Sequence, residues 1–288
     1  MIRSLPNSKF YTITFNTFII IYFVFLFAPL LITCILAFNN SMIPSLPWKG
    51  FTLDWFFGDG SGGGPTGFFH DRFNMRAFGV SFRLAIAVSL MSTAMGTCAA
   101  FLFEQENFPL KNLMYLLMIA PIVIPGVILG ISILSFTTTV ATFFQNHFGI
   151  RLDAIRPGFW LVAFGQFSFI STYVAMVVSA RLKKFDRTLE DAAYNLGANR
   201  FQVIWYITLK YLRPSIIGGL ALSFLLSFEN FNTTLFLVGA DVPLPVALFN
   251  RVRDGSTPVI NAISVLLIFV TSICAMVNLR LSRKKTED

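Results

Sequence analysis

Two charged side chains lie inside long apolar stretches of this 288-residue sequence, and they carry most of its chemical possibility. Glu229 is the only acidic residue within any stretch apolar enough to cross a membrane, and Asn230, Asn232, Thr233 and Thr234 follow it closely. A carboxylate in hydrocarbon costs roughly 3 kcal/mol or more unless it meets water, a partner or a passing solute. Either Glu229 offers negative charge to a cationic group moving along a path, with Asn230 and Asn232 beside it, or it accepts hydrogen bonds from a neighbouring helix and only holds a bundle together. Arg83 is the second charge. It can extend along its own stem to the membrane interface, pair with Glu229, or face the path and favour a solute carrying a negative group.

Other chemistries lack their residues. His70 and His147 stand alone in polar segments and read as solvated. Cys34, Cys98 and Cys274 each sit within an apolar block, as small hydrophobes do, with neither metal-ligand spacing nor a disulfide framework. The glycine-rich run 58–65 has no Lys-Ser/Thr after it, so it is no phosphate loop and reads as a flexible linker. No catalytic residue, metal site or bound cofactor is expected in this chain. A net charge of +8 raises the question of nucleic acid, but no basic stripe or stacking motif accompanies it.

The elements that must position these groups are membrane helices. The sequence is 55% hydrophobic and 12% charged, with mean hydropathy +0.70, where a soluble domain carries about twice that charge. Several blocks reach the ~20 residues that cross the hydrocarbon layer. They predict an all-α membrane protein of about six spans at 15–38, 77–103, 110–136, 158–180, 215–238 and 258–279, forming a domain over 15–280 between terminal segments 1–14 and 281–288. The first run is about twice the length of a signal-peptide core and has no cleavage site, so it reads as a retained helix.

Charge sets the orientation. The N-terminal segment, the loop at Lys111, the loop 181–214 and the tail hold 14 basic residues, against 7 in the intervening loops. Both termini are therefore expected in the cytoplasm. Of the two long outer segments, 39–76 carries the aromatic stretch from Trp48 to Phe57, an interfacial anchor or a docking surface, and 137–157 is expected to hold a short helix lying on the membrane. The third span contains Pro121, Pro125, Gly126 and Gly130. Proline removes a backbone donor, so this span is either kinked or broken, and a broken helix would line a path through the bundle with Pro125 at its wall.

The inner loop 181–214 is the most informative segment. Thr188 followed by Asp191 resembles a capping box, and Ala192 and Ala193 give a small face that another surface can approach. Gly197 can end a first short helix. Asn199 can cap a second, whose face carries Phe201, Ile204 and Trp205. Aromatic residues this dense on a cytoplasmic loop require a partner.

At these residues the chain resembles the permease subunits of ABC importers of the binding-protein-dependent type. Their hallmark is an acidic-Ala-Ala sequence, a Gly four residues later and an Ile-x-Leu-Pro ending, matched here by Asp191-Ala192-Ala193, Gly197, Ile207 and Leu209, with Asp for the usual Glu (Glu190 adjacent) and Lys210 for the usual Pro. The stretches Trp48 to Trp55, Ser223 to Asn230 and Leu244 to Ala262 are similar to the spermidine/putrescine permease group, relative to which 58–65 looks inserted. The resemblance implies a MetI-like fold in a bacterial inner membrane and a coupling helix between the fourth and fifth spans that docks on an ATP-binding cassette ATPase. It implies that Glu190, Asp191, Ala192, Ala193, Gly197, Ala198, Phe201, Ile207 and Leu209 carry that contact, with ATP and Mg bound by the partner. It further implies a second permease subunit and a solute-binding protein that delivers an amine-bearing solute such as a polyamine, or a zwitterion or anion, past Glu229, Asn230, Asn232 and Pro125. An ion-coupled secondary transporter would call for inverted repeats or several intramembrane charges, and neither is apparent. A membrane-embedded enzyme would call for paired catalytic groups in the spans.

Overall fold

The computed structural model describes residues 9–255 and 257–284, the segment 273–284 by backbone only. In chain order its helices are α1 (Lys9–Leu36), α2 (Asp54–Phe57), α3 (Arg72–Gln105), α4 (Lys111–Val123), α5 (Gly126–Phe148) and α6 (Phe159–Leu182). There follow α7 (Thr188–Asn195), α8 (Arg200–Val203), α9 (Leu209–Phe228), α10 (Thr234–Leu237), α11 (Leu244–Asp254) and α12 (Pro258–Lys284). A π-helical segment, Ile204–Thr208, joins α8 to α9. Among the described residues five helices are long and apolar enough to cross a membrane: α1, α3, α5, α6 and the continuous run Arg200–Phe228, while α4 and the Pro258–Ser272 part of α12 are shorter apolar helices. Arg3, Lys285 and the side chains of Cys274, Arg280, Arg283 and Lys284 lie outside the described set. By internal contacts the chain divides into two units: residues up to Met75 with those from Leu248 onward, and Arg76–Ala247.

In the first unit, α1 is apolar on every face and buries none of its residues, the pattern of a helix solvated by lipid. It is already helical at Lys9, six residues before the predicted span, because hydropathy marks where hydrocarbon starts whereas backbone hydrogen bonds carry the helix through Thr12, Thr14 and Asn16. The segment after α1 is organised by buried Asn39. Its amide donates to the Ser45 carbonyl (3.1 Å), its Oδ1 accepts from Lys49 N (2.8 Å) and its carbonyl accepts from Trp55 Nε1 (2.8 Å). Phe38 stacks on Phe51 and Phe56. Trp55 and Phe56 are thus core residues, while Trp48, Phe51 and Phe57 are exposed; the aromatic stretch divides its residues between packing and surface.

The glycine run is no flexible linker. Asp59 Oδ1 accepts from the Ser61 amide (2.9 Å) and hydroxyl (2.6 Å), Asp59 bridges to Thr66, and Gly67 N donates to the Gly58 carbonyl at 2.8 Å. A Cβ at Gly58 would lie 2.4 Å from the Pro65 oxygen, and one at Gly67 would lie 2.6 Å from that of Asp54. The glycines are present because backbone crosses backbone here.

In the second unit α6 is the central helix, with residues buried around its circumference. One apolar cluster joins Leu84 and Val88 of α3 to Leu161, Val162 and Ile170 of α6 and Leu237 of α10. Another joins Ala100 to Val174, Val178, Leu182 and Leu212. Gly96 allows α3 to meet α6: a Cβ there would lie 2.7 Å from both the Ser171 oxygen and Val174 Cβ, the small-residue contact of membrane helices.

Three predicted boundaries change in this unit. The third span is broken, not kinked. Ile124 leaves the helix in an extended conformation and Pro125 precedes α5, as the steric bias on a pre-proline residue favours. The membrane-surface helix expected in 137–157 is instead the continuation of α5 to Phe148, since the apolar and threonine residues there keep bonding to their own helix. The fifth span starts at Arg200, not at 215, and ends at Phe228. What the sequence suggested as a second short helix is its first turns. Pro214 lies inside this helix, whose one irregularity is the π segment, where Leu209 N reaches back five residues to the Ile204 carbonyl.

Candidate coupling surface and polar cleft

The segment 186–209 forms a compact motif with its own caps. Asp186 Oδ1 holds the first turn of α7 by accepting from Thr188 N at 3.0 Å; the N-cap position is Arg187, which makes no side-chain cap, and Thr188 is the first helical residue. This donation holds the Asp186 carboxyl below its ordinary range. At the other end Gly197 adopts φ +85°, with Gly197 N on the Tyr194 carbonyl (2.9 Å) and Ala198 N on that of Ala193 (3.0 Å), the paired bonds of a Schellman cap. Asn199 and Gln202 then bond reciprocally, each through its side chain to the other's amide at 2.9 Å, so Asn199 caps α8 in a full capping box.

The two acids of the motif differ. Glu190 turns inward and accepts from the buried Thr208 hydroxyl at 2.5 Å, tying α7 to the π segment. Asp191 is exposed. Ala192, Gly197 and Phe201 are exposed too, Ala193, Ala198, Ile207 and Leu209 are half-buried, and Phe201 stacks on exposed Trp205. Leu196 is 88% exposed. It lies beside Tyr206 and Ile207 along an open groove of about 440 Å³. Ion pairs fix the motif to the end of α3 and the loop after it: Lys183 with Glu104 (3.5 Å), Arg200 with Glu106 (2.8 Å), and Arg187 donating to the Glu104 carbonyl (2.9 Å). The result is a braced, short-helix surface bearing apolar residues that no described residue covers.

A second feature lies where two helix interruptions meet. The gap between α4 and α5 faces the gap between α9 and α10: a Cβ on Gly126 would lie 3.0 Å from Asn232 Cβ, and one on Gly130 would lie 2.9 Å from the Thr233 carbonyl. Between them is a cleft of about 190 Å³ lined by Pro121, Gly126, Phe169, Tyr173, Asn230 and Asn232, with Thr233 at its wall. Thr233 Oγ1 is buried and has no hydrogen-bond partner among the described residues. Asn230 belongs to a buried chain of polar groups: Ser227 Oγ donates to Gln166 Oε1, Gln166 Nε2 to Thr234 Oγ1 (2.8 Å), and Thr234 Oγ1 to Asn230 Oδ1 (2.9 Å). Gln166 is fully buried on α6. A polar residue in an otherwise apolar helix was its only trace in the sequence, and it was not singled out there.

The four predicted path residues separate. Asn230 and Asn232 line the cleft, whereas Pro125 and Glu229 are not among its lining residues. Glu229 is not mid-span: it is the C-cap of α9, exposed, with its amide on the Leu225 carbonyl. Helical φ/ψ ends there without Gly or Pro, which is why hydropathy ran the span on to 238. Arg83 bends back to donate to the Gly79 carbonyl of its own helix (3.2 Å), as a side chain reaching for an interface does. Among the described residues no three His, Cys, Asp or Glu side chains come together to hold a metal.

Apolar helices of bilayer length, two of them interrupted around a polar-walled cleft, define a polytopic membrane transport protein. The chain belongs to the family of binding-protein-dependent transport system inner membrane components, whose profile matches residues 92–285. It is 32% identical over 257 residues to the putrescine transport system permease protein PotI of Escherichia coli K12, covering 88% of this chain and 85% of the relative. It is 25% identical over 266 residues to the spermidine/putrescine transport system permease protein PotC of the same strain, covering 92% of each. Among solved structures it is similar in fold to a bacterial ABC transporter involved in the import of the acidic polysaccharide alginate, with TM-score 0.72 at 18% identity over 96% of this chain and 95% of the other. The protein is a multi-pass inner-membrane permease of the ABC importer class and not an enzyme.

Proposed function

We propose that this permease imports a small amine-bearing solute, of which a polyamine is the leading example, using ATP hydrolysed by cassette subunits bound to the surface 186–209. The uncovered apolar residues Leu196, Phe201, Trp205 and Tyr206 on a braced, capped motif carry this reading: solvent does not select such a surface, and a rigid one transmits force. A second permease subunit completes the path, a solute-binding protein delivers the cargo, and both termini lie in the cytoplasm with the coupling surface. ATP and Mg belong to the cassette subunits. The polyamine assignment is supported by the names of the two relatives above and by an exposed carboxylate, Glu229, at the end of α9 near a cleft with no charged lining residue.

The test is uptake of labelled putrescine and spermidine into vesicles holding the permease with its partner chains and binding protein. Uptake should require internal ATP and should fall at least about tenfold in Glu229→Gln. Uptake that persists without ATP, with no ATPase co-purifying, would overturn the importer reading. ATP-driven uptake of an anion in preference to amines would overturn the solute assignment alone.

A further inference from the structure

The direction of the buried hydrogen-bond chain decides which atom of Asn230 faces the cleft. A backbone N–H can only donate, and Thr234 N lies 3.3 Å from the acceptor atom of Asn230. That atom is therefore the amide oxygen, which also accepts from Thr234 Oγ1 at 2.9 Å. The assignment propagates inward. Thr234 Oγ1 has given its proton to Asn230 and so accepts from Gln166 Nε2, which leaves Gln166 Oε1 to accept from Ser227 Oγ. Every link has one polarity, and reversing Asn230 would set its NH₂ against a backbone donor. Asn230 is half-buried and lines the cleft, and with its oxygen committed to Thr234 its Nδ2 group is the end of the amide left without a partner among the described residues.

We propose that Asn230 is a specificity-determining residue that presents hydrogen-bond donors to the cleft, held in that orientation by the Thr234 amide and hydroxyl, and that the solute therefore carries an oxygen acceptor beside its amine. Thr233 adds a second open group at the same wall: its buried hydroxyl has no partner among the described residues, where a buried hydroxyl is normally satisfied, and it can donate to an oxygen on the solute. No lining residue is acidic. A bare diammonium entering this cleft would leave the Asn230 donors without an acceptor. A solute with a carboxylate or hydroxyl next to its amine meets Asn230 and Thr233 with that oxygen and leaves its ammonium for Glu229. This rests on the amine-importer reading and narrows it, away from the bare polyamine taken there as the leading example and towards an amine that also bears an oxygen acceptor.

Asn230→Asp is the informative substitution, because the carboxylate keeps both bonds from Thr234 and exchanges only the cleft-facing atom, a donor for an acceptor. Putrescine and ornithine are matched probes that differ by one carboxylate. Binding is read by saturation-transfer NMR on the assembled transporter in nanodiscs without its binding protein, so that the permease's own preference is measured. Wild type should favour ornithine by about tenfold, the worth of one hydrogen bond to a charged group. Asn230→Asp should reverse that order. Equal binding, preference for putrescine, binding of neither, or an unchanged ratio in Asn230→Asp overturns the proposal. Intact ATP-driven putrescine uptake alongside any of these outcomes leaves the importer reading standing.

Discussion

Gly197 and Thr208 hold the 186–209 motif by different means, and their substitutions should part accordingly. A Cβ at Gly197 would meet nothing within 4 Å, but the residue sits at φ +85°. Gly197→Ala therefore loses only backbone freedom, about 1 kcal/mol, and should lower the melting temperature slightly while leaving assembly intact. Thr208→Val keeps volume and removes the donor to Glu190, leaving a half-buried carboxylate without its hydroxyl. The cost is about 1–3 kcal/mol, concentrated where α7 meets the π segment. The expected phenotype is ATP hydrolysis retained with uptake reduced several-fold; equal loss of both would show that the bond serves folding only. Asp186 supplies a pH prediction. Its folded pKa lies below the ordinary value because it accepts from the Thr188 amide and then its hydroxyl. The stabilisation is therefore present above the ordinary carboxylate pKa, about 3.9, and is lost only as pH falls through the lower folded value. Hydrogen-exchange protection of the Thr188 amide should stay constant from pH 8 to pH 5, and a decline within that range would show that Asp186 does not hold the first turn of α7.

At the scale of elements, the two facing interruptions have different origins, which explains what could be read from the chain. α1, α3 and α6 are legible as apolar runs because hydropathy alone decides them. The third span announced its break through two prolines four apart, yet Pro121 sits within α4 while Pro125 ends it. Neighbouring groups tolerate one proline in a membrane helix, and only the fold shows that the Pro125-Gly126 pair is the one facing Asn232 and Thr233. The break after Glu229 has no Gly or Pro. It is made by Asn230, whose side chain bonds to the amide and hydroxyl of Thr234 four residues on, a local polar turn that hydropathy reads as more helix. In the inner loop the caps at Gly197 and Asn199 were visible because capping is local, but the Asp186 side chain, rather than that of Thr188, holds the first turn of α7. Pro125→Ala tests the interruption directly. It restores an N–H in range of α4, allowing α4 and α5 to join as one helix of about 57 Å, at 1.5 Å per residue. The expected result is loss of uptake with normal assembly, together with reduced labelling of Asn232→Cys by a small thiol reagent as the cleft fills. Unchanged uptake and labelling would show that packing against 230–233, not the missing donor, holds the gap open.

At the scale of the whole molecule, the unequal distribution of basic residues makes a claim about sidedness that no local feature carries. The loop 181–214 alone holds Arg181, Lys183, Lys184, Arg187, Arg200, Lys210 and Arg213, as many as all the segments read as external together. Much of this charge also has structural work. Lys183 and Arg200 pair with Glu104 and Glu106, and Arg181 lies over the Tyr211 ring at 4.6 Å. Such pairs are worth little in water, so their bracing does not by itself require so many cations, whereas the proposed cytoplasmic position of this loop would. The prediction is made with single cysteines in a background where Cys34, Cys98 and Cys274 are replaced. Leu196→Cys, on the exposed turn after α7, should be untouched by an impermeant maleimide in intact spheroplasts and fully labelled once the membrane is opened. Ser61→Cys, in the glycine turn of the 39–76 segment, should label at once in intact spheroplasts. Association with ATPase subunits should then protect Leu196→Cys in opened membranes and leave Ser61→Cys unaffected, because only the first lies on the surface proposed to receive them. The reverse order of labelling would invert the topology and remove the coupling surface from the side where ATP is found; correct sidedness without protection would keep the orientation and move the ATPase contact elsewhere.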